Sequence, residues 1–292
     1  MRIAIFGKTF PAETKEVIVQ LVRKLESSHI SLLIYEAFYN KIFRDVELHN
    51  GFSTFNDHTG LVGKADFLLS IGGDGTLLDT ITLVRDSGIP ILGINLGRMG
   101  FLSSISKAKT DDAIEQLIDG KYSLDSRTLI ELRTNENLFG DLNYALNELT
   151  VYKKDPMSML KIQAFVNGEL LNSYWADGLI IATPTGSTAY SLSAGGPIIL
   201  PGSQNFVITP IATHNLTVRP VVIPDDNEIK IRVVGRMKEF FISLDSRSVA
   251  VDSSVELTIK KERFSINLVQ MENENFFQTI REKLMWGLDI RN

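Results

Sequence analysis

Short apolar runs alternate with helical patterns over about the first 105 residues, and this alternation constrains the fold most strongly. The apolar runs are residues 3–6, 32–35, 67–71 and 91–95. Residues 14–26 are the clearest helical pattern, because apolar side chains recur there at helical spacing. Strands without polar alternation are buried on both faces, as in a parallel sheet covered by helices. The sequence therefore predicts an α/β domain with a mostly parallel sheet.

A glycine-rich segment directly follows the third apolar run. It reads Gly72, Gly73, Asp74, Gly75 and Thr76. Glycines let backbone N–H groups approach a phosphate closely, because no side chain stands in the way. Such a loop lies beyond the carboxyl end of its strand, where ligands of parallel sheets bind. A carboxylate at that place indicates phosphoryl transfer, although the segment alone is equally compatible with a tight turn in which Asp74 begins a helix.

Composition excludes several other classes of protein. The chain has 292 residues, 44% of them hydrophobic, which suits two domains with sizeable cores. A formal net charge of −5 disfavours nucleic-acid binding. The absence of cysteine removes disulfides and cysteine zinc sites, and the four histidines lack metal-ligand spacing. No apolar stretch approaches the ~18 residues of a membrane span, so we expect a cytoplasmic protein that does not bind membranes.

The second half of the chain changes to strand patterns from about residue 126. The predicted strands are residues 128–134, 144–153, 161–166, 169–175, 229–234, 240–244, 255–260 and 265–269. Asn167 and Gly168 stand between two of them and predict a hairpin with a type I′ turn. The sequence therefore predicts an all-β, sandwich-like domain.

A last amphipathic helix is predicted over residues 275–288. Because its apolar stripe needs a surface to cover it, we expect the helix to return to the N-terminal domain. The predicted boundaries are residues 1–125 for the α/β domain, 126–271 for the β-rich domain and 272–292 for the closing helix. Residues 96–101, with Gly97 and Gly100, predict a hinge or crossing segment after the fourth strand.

Small and hydroxylated residues form the second informative segment, residues 177–197. Their hydroxyls can bind ribose, adenine edges or phosphate, and Tyr190 offers an aromatic face for a base. A Ser/Thr-rich surface loop is the simpler alternative. The adjacent pair Asn147 and Glu148 interrupts an apolar run, and neighbours on a strand point to opposite faces, so at most one is expected to face the core. On its own, such a pair is usually solvated.

Common nucleotide-binding signatures are absent. The chain contains no G-x-x-x-x-G-K-[ST] loop and no G-x-G-x-x-G fingerprint, because Leu78 stands where the third glycine would be. The protein-kinase motifs His-Arg-Asp and Asp-Phe-Gly are missing as well. A P-loop protein, a dinucleotide-dependent oxidoreductase and a protein kinase are therefore disfavoured.

The order of these motifs resembles the NAD kinase family over nearly the whole chain. The residues that carry the resemblance are the Gly72–Thr76 loop, Asn147-Glu148, Asp177-Gly178 and the segment 183–197. The glycine loop is also shared with diacylglycerol-type lipid kinases and phosphofructokinases, whereas the long segment is far more specific. The resemblance implies transfer of a phosphoryl group from ATP, with Mg²⁺ or another divalent cation, to the 2′-hydroxyl of the adenosine ribose of NAD.

The resemblance also implies roles for individual residues. Asp74 would be the catalytic base and an additional contact of a Mg²⁺ ion held mainly by the nucleotide phosphates. Gly72, Gly73, Gly75 and Thr76 would form the phosphate loop. The implied NAD contacts are Asp74, Gly75, Asn147, Glu148, Asp177, Thr188, Ala189, Tyr190, Ser191, Leu192, Ser193 and Ala212. A homodimer or homotetramer is the assembly that the family implies.

Three positions depart from common versions of the family. Asp79 stands near a position that is often basic, and Trp175 stands where Arg or His is frequent. Arg247 replaces a common glutamine and could restore a positive charge near phosphates. The sequence leaves open the phosphoryl donor, the choice between NAD and NADH, the oligomer size and feedback by NADPH. A lipid kinase and a dinucleotide sensor without catalysis are the two alternatives.

Overall fold

The computed structural model describes residues 1–8, 12–43, 46, 48, 51–97, 100–103, 105–235, 237–272 and 274–285. It divides into two compact units. One unit combines Met1–Ser126 with the described part of Ile266–Asn292, and the other is Arg127–Ser265. No helix among the described residues is both long and apolar enough to cross a membrane.

The first unit begins with alternating strands and helices. Its strands up to residue 127 are β1 (Arg2–Gly7), β2 (Ser31–Tyr35), β3 (Phe52–Phe55), β4 (Phe67–Ile71), β5 (Ile91–Asn95), β6 (Ile105–Ser106) and β7 (Tyr122–Arg127). Its helices up to the same point are α1 (Lys15–Ser27), α2 (Glu36–Ile42), α3 (His58–Leu61), α4 (Asp74–Val84) and α5 (Thr110–Asp119). The predicted helix 14–26 and the four predicted strands are therefore present within one or two residues.

Five of the eight described strands in the sheet of this unit follow the order β3-β2-β1-β4-β5, and all four of these pairings are parallel. Chain order runs outward from β1 through β2 and β3 and then returns to β4 on the other side. The strand order thus reverses between β1 and β4, where Gly7 lies beside Ile71. Ligands of open α/β sheets bind at this kind of reversal, beyond the carboxyl ends of the strands.

The second unit is built from antiparallel strands. They are β8 (Ile130–Arg133), β9 (Tyr144–Ala145), β10 (Glu148–Lys153), β11 (Leu160–Val166), β12 (Glu169–Ala176), β13 (Gly178–Ala182), β14 (Asn205–Ile211), β15 (Val221–Pro224), β16 (Ile229–Val234), β17 (Glu239–Leu244), β18 (Arg247–Asp252) and β19 (Leu257–Lys261). The short helix α6 (Tyr190–Ser193) follows β13. Asn167 (φ 49°) and Gly168 (φ 86°) both have positive φ between β11 and β12, which fits the predicted type I′ hairpin.

Two six-stranded sheets face each other within the second unit. Their orders are β15-β14-β13-β10-β17-β18 and β12-β11-β16-β19-β8-β9. One apolar core joins them, with Leu149 and Ile181 from the first sheet and Ile162 and Ile231 from the second. Inward-facing residues alternate with partly exposed ones along β11 and β16. The predicted sandwich-like β domain is confirmed.

The last described strand and helix return to the first unit. They are β20 (Ile266–Met271) and α7 (Phe276–Leu284). Leu268 of β20 pairs in parallel with Ile91 of β5, so residues 266–271 do not belong to the β domain in which we had expected them. A strand pattern does not reveal which sheet will accept the strand. Leu288, in the predicted end of the helix, lies outside the described residues, as do Arg98 and Met99 of the predicted hinge.

Candidate functional site

The glycine loop joins the fully buried strand β4 to helix α4 at the strand-order reversal of the first unit. Gly72 has φ +152°, a conformation that residues with a side chain rarely adopt. A β-carbon on Gly72 would also lie 2.3 Å from Oγ1 of Thr76. Gly73 caps the helix without a side chain, and Gly75 meets no heavy atom within 4 Å of its hypothetical β-carbon. The loop is therefore tight where it turns and open where a phosphate would approach.

Asp74 is the first residue of helix α4, and its carboxylate is held by three backbone N–H groups. Oδ2 accepts a hydrogen bond from Phe101 at 2.8 Å. Oδ1 accepts from Leu102 at 3.1 Å and from Ser103 at 3.0 Å. A carboxylate has about four acceptor positions on its two oxygens, so the donors that the structure describes leave one position open on Oδ2. The glycine-rich pattern marks Asp74, whereas no local sequence pattern marks its three backbone donors.

Asp79 lies one turn further along helix α4 and forms an ion pair with Lys8. The distance from Oδ2 of Asp79 to Nζ of Lys8 is 2.7 Å. Lys8 directly follows β1, so it brings a positive charge to the same end of the sheet as the glycine loop. The sequence departs from the family pattern at Asp79, and the structure supplies a cation nearby from a different strand. No sequence signal had pointed to Lys8.

The small-residue segment of the second unit packs against the pair Asn147 and Glu148. The backbone N–H of Thr183 donates to the carbonyl of Asn147 at 2.9 Å. A β-carbon on Gly186 would lie 2.0 Å from that same carbonyl oxygen, so only glycine fits there. Asn147 and Glu148 are 8% and 9% exposed, which means that both are buried, not just one as expected. The two separate sequence motifs thus form one structural site.

Several hydroxyls of the segment bind the protein itself. The hydroxyl of Ser187 donates to the carbonyl of Pro184 at 2.7 Å and accepts from the N–H of Ile199 at 2.9 Å. Ser191, an expected NAD contact, is fully buried and shares a hydrogen bond of 2.9 Å with Thr209. Several Ser and Thr hydroxyls therefore form hydrogen bonds within the turn itself, as the alternative of a Ser/Thr-rich loop predicts. Unlike a surface loop, however, this turn is buried.

Other residues of the segment and its surroundings are accessible to a ligand. Tyr190 is 41% exposed at the start of α6. Thr188, Ala189 and Leu192 are half-buried, and Ser193 and Ala212 are exposed. Ala212 has φ 45°, the left-handed region that a residue with a side chain seldom occupies. Such a conformation directly after strand β14 marks Ala212 as a constrained position.

Asp177 and Trp175 lie at the end of strand β12. The carboxylate of Asp177 forms an ion pair with Lys153, with 2.7 Å between Oδ1 and Nζ. Trp175 is 47% exposed, and the ammonium of Lys161 lies 5.7 Å from the centre of its ring. Trp175 thus presents an aromatic face to solvent, whereas Asp177 already has a cationic partner.

Glu148 is a buried acid of the second unit whose pKa lies well above its ordinary value. Burial, and to a lesser degree the charge of Asp245, raise the pKa of Glu148 to about 8, and a backbone hydrogen bond from Tyr190 opposes the rise. Oε2 of Glu148 is buried and has no hydrogen-bond partner among the described residues. A buried oxygen without a partner is costly for the folded protein, and a ligand hydroxyl would satisfy it.

Arg247 does not extend toward a ligand in the way that its charge had suggested. Its guanidinium donates to the carbonyls of Leu142 and Tyr144 and lies 5.7 Å from the centre of the Tyr144 ring. Arg247 therefore fastens the β17–β18 hairpin to the chain that leads into β10. Asp245 lies in the same hairpin turn and is a further residue of this region, one that is absent from the sequence-based site residues.

A parallel α/β unit with a glycine loop at its strand-order reversal, followed by a β sandwich with a buried small-residue turn, defines a nucleotide-dependent phosphotransferase. The ATP-NAD kinase N-terminal domain matches residues 3–122, and the ATP-NAD kinase C-terminal domain matches residues 146–271. The NAD kinase of Cytophaga hutchinsonii is 47% identical over 293 residues, covering 100% of both chains. The NAD kinase of Flavobacterium psychrophilum is 46% identical over 294 residues, also covering 100% of both. The chain belongs to the ATP-NAD kinase family.

Solved structures of NAD and NADH kinases are also similar to this chain. Yeast NADH kinase complexed with NADH has a TM-score of 0.89 and 26% identity, covering 99% of this chain and 89% of that one. An NAD kinase from Archaeoglobus fulgidus in complex with ATP has a TM-score of 0.73 and 26% identity, covering 98% and 99%. The resemblance stated from the sequence is thereby confirmed, together with the fold class.

Proposed function

We propose that the chain phosphorylates the 2′-hydroxyl of the adenosine ribose of NAD with ATP as donor, forming NADP and ADP. Full-length similarity to proteins named NAD kinase is the observation that supports this most strongly. In the reaction, the ribose oxygen forms a bond to the γ-phosphorus, and the bond from that phosphorus to the β–γ bridging oxygen breaks. The ribose hydroxyl loses its proton.

Asp74 is the group that we propose accepts this proton. Three of its acceptor positions are taken by backbone N–H groups, which fix the carboxylate without protonating it. The remaining position on Oδ2 is the one that a ribose hydroxyl can use. A fixed carboxylate within about 3 Å of the hydroxyl suits a base that acts late in a loose transition state. The hydrogen bonds supply the rigidity that alignment requires.

The phosphate loop consists of Gly72, Gly73, Gly75 and Thr76. Two observations support phosphate binding by this loop. It lies at the strand-order reversal, and it leads into the N-terminus of helix α4, whose dipole favours anions. Lys8, held by Asp79, adds a positive charge at the same sheet end. Phosphoryl transfer depends on alignment and charge neutralisation more than on covalent help from the protein.

Mg²⁺ is the proposed metal ion. The described residues contain no cluster of three or more His, Cys, Asp and Glu side chains that would hold an ion. Mg²⁺ commonly binds through the phosphates of a nucleotide and keeps several water ligands, so it needs few ligands from the protein. Bound there, it would neutralise charge on the transferred group. Asp74 carries the carboxylate of the loop, and its one remaining position on Oδ2 would serve either the ion or the ribose hydroxyl at a given time.

The acceptor NAD is proposed to bind the second unit around Asn147, Glu148 and the accessible face of the small-residue segment. Glu148 is 9% exposed, and its buried Oε2 has no hydrogen-bond partner among the described residues, so we propose that NAD binding brings a ribose hydroxyl to this oxygen as donor. Tyr190 and Trp175 offer exposed aromatic faces. The remaining proposed contacts are Gly75, Asp74, Asp177, Thr188, Ala189, Ser191, Leu192, Ser193 and Ala212. Because Ser191 is fully buried, it would shape this surface instead of touching the ligand.

The test is a direct assay of the purified chain with NAD, ATP and Mg²⁺, in which NADP is separated by chromatography and quantified. We expect NADP to form, and no NADP with measurable NAD binding would instead identify a dinucleotide sensor. Diacylglycerol as acceptor tests the lipid-kinase alternative. Parallel reactions with other nucleoside triphosphates, polyphosphate and NADH define donor and acceptor. The homodimer or homotetramer stays a prediction, which light scattering of the purified protein can test. The cytoplasmic location stays a prediction as well.

A further inference from the structure

We propose that Asp245 is a positioning residue that fixes Asn147 and Glu148 for binding of the acceptor dinucleotide. The inference rests on the proposed function of those two residues and adds a residue to it. Asp245 lies in the two-residue turn between strands β17 and β18. It is about 100 residues distant along the chain from the pair that it contacts.

The carboxylate of Asp245 accepts hydrogen bonds from three consecutive backbone N–H groups. Oδ2 accepts from Leu146 at 2.9 Å. Oδ1 accepts from Asn147 at 2.8 Å and from Glu148 at 3.2 Å. In return, the backbone N–H of Asp245 donates to the carbonyl of Glu148 at 3.0 Å. One side chain therefore determines where the backbone of the pair lies as strand β10 begins.

The opposite side of this backbone is held by the small-residue turn. Thr183 donates its hydroxyl to the carbonyl of Leu146 and its N–H to the carbonyl of Asn147. Asp245 supplies acceptors and Thr183 supplies donors, so the pair is fixed on both sides. Because buried N–H groups without acceptors are costly, loss of the carboxylate would force this backbone to move.

The turn conformation shows that the protein maintains this arrangement against a local cost. Asp245 has φ 52°, which residues with a side chain seldom adopt, although aspartate tolerates it better than most. Arg247 holds the same hairpin through the carbonyls of Leu142 and Tyr144. Strain of this kind persists where the surrounding contacts over-determine the conformation.

Asp245 also acts on Glu148 through its charge. The charge of Asp245 is one of the causes that raise the pKa of Glu148, after burial, while the backbone N–H of Tyr190 on α6 acts in the opposite direction. The pKa of Asp245 is itself raised by burial, and its three backbone hydrogen bonds and Arg247 oppose that rise. Asp177 and Tyr152 are the further titratable groups near Tyr190. Removal of the Asp245 charge should therefore lower the pKa of Glu148.

The experiment compares the full-length wild-type protein with Asp245→Asn. NAD binding is measured by calorimetry and turnover by NADP formation, both from about pH 6 to pH 9. We expect kcat/KM for NAD to fall about 10- to 100-fold, because misplacement of binding groups by about 1 Å has effects of this size. KM for ATP should change little. The pH at which NAD affinity rises should move downward, since an ionised Glu148 accepts the ribose hydroxyl bond.

Asp245→Glu is the second variant. It keeps the charge but places it on a longer side chain. KM for NAD should therefore rise, while the pH at which NAD affinity rises should stay at the wild-type value. Asp252→Asn is the matched control, because Asp252 ends the same strand β18 and its carboxylate accepts the N–H of Ser254 on the surface. We expect wild-type kinetics from it.

Unchanged NAD affinity, KM and pH profile in both Asp245 variants would overturn the proposal, even if their melting temperatures fell. That pattern would show a role in stability alone. Because NAD binding is measured separately from turnover, a wild-type protein that binds NAD and forms no NADP would contradict the proposed catalysis but would leave the role of Asp245 testable.

Discussion

A β-carbon on Gly100 would lie 1.7 Å from Oδ1 of Asp74. This close approach brings the backbone of residues 100–103 onto the carboxylate, where Phe101, Leu102 and Ser103 donate their N–H groups. Gly100 and the three donors follow Asp74 by fewer than 30 residues, and strand β5 lies between them and helix α4 in the chain. The observed position of the Asp74 carboxylate therefore requires glycine at residue 100, because any side chain there would overlap the carboxylate.

Gly100→Ala is expected to displace the carboxylate of Asp74, because its closest contact is far shorter than any real β-carbon contact. If Asp74 is the catalytic base, kcat for NADP formation should fall about tenfold or more, since proton transfer depends on placement. KM for NAD should change less. Gly202→Ala is the control, because its β-carbon would meet no heavy atom within 4 Å. A Gly100→Ala enzyme with the wild-type kcat would show that the position of Asp74 does not limit the reaction.

Asp74→Asn removes the proposed base and keeps its shape. We expect kcat to fall about 10²- to 10⁴-fold, the usual contribution of general acid–base catalysis, while calorimetry finds NAD affinity within a few-fold of wild type. Asp86→Asn is the matched control, because Asp86 lies just after the other end of α4 and is exposed to solvent. A variant that kept near-wild-type turnover would remove Asp74 from the proposed proton transfer.

Local sequence patterns predicted much of the fold because the signals are themselves local. Gly120 ends helix α5 with φ +74°, the left-handed conformation in which glycine commonly closes a helix. Asn167 and Gly168 turn between two strands for the same kind of reason. Strand β20 shows the limit of this reasoning. Its apolar residues predict a strand equally well in either sheet, and only the tertiary contact with β5 assigns it to the first unit.

The candidate site could be predicted only in part, for a related reason. Asp74, Asn147 and Glu148 stand out because they interrupt apolar or glycine-rich patterns. The residues that hold them do not stand out, since their contacts join distant positions. Asp245 looks like an ordinary turn aspartate, yet its partners lie 97 to 99 residues earlier. The roles expected for Asp74, Asn147 and Glu148 follow from the family resemblance. The residues that hold them in place are visible only in the structure.

Glu148 connects ligand binding to stability through protonation. The residue is 9% exposed, and the pKa of its carboxyl rises from an ordinary 4.5 to about 8, mainly through burial. Between these two values the folded protein binds more protons at Glu148 than the unfolded chain does. The contribution of this group to the free energy of unfolding must therefore decrease as pH rises through that window.

Glu148→Gln should remove this pH dependence, because its amide cannot ionise. In the wild type, we expect the Glu148 contribution to fall by on the order of 1 kcal/mol per pH unit between about pH 5 and 8. Urea unfolding at pH 5.5, 6.5 and 7.5, with circular dichroism as readout, compares the two proteins under identical conditions. The stability of the variant relative to wild type should increase steadily with pH. A difference that stayed constant over this range would mean that Glu148 is already ionised in the folded protein, and its oxygen Oε2 would then need a cationic or hydrogen-bonding partner that binds throughout.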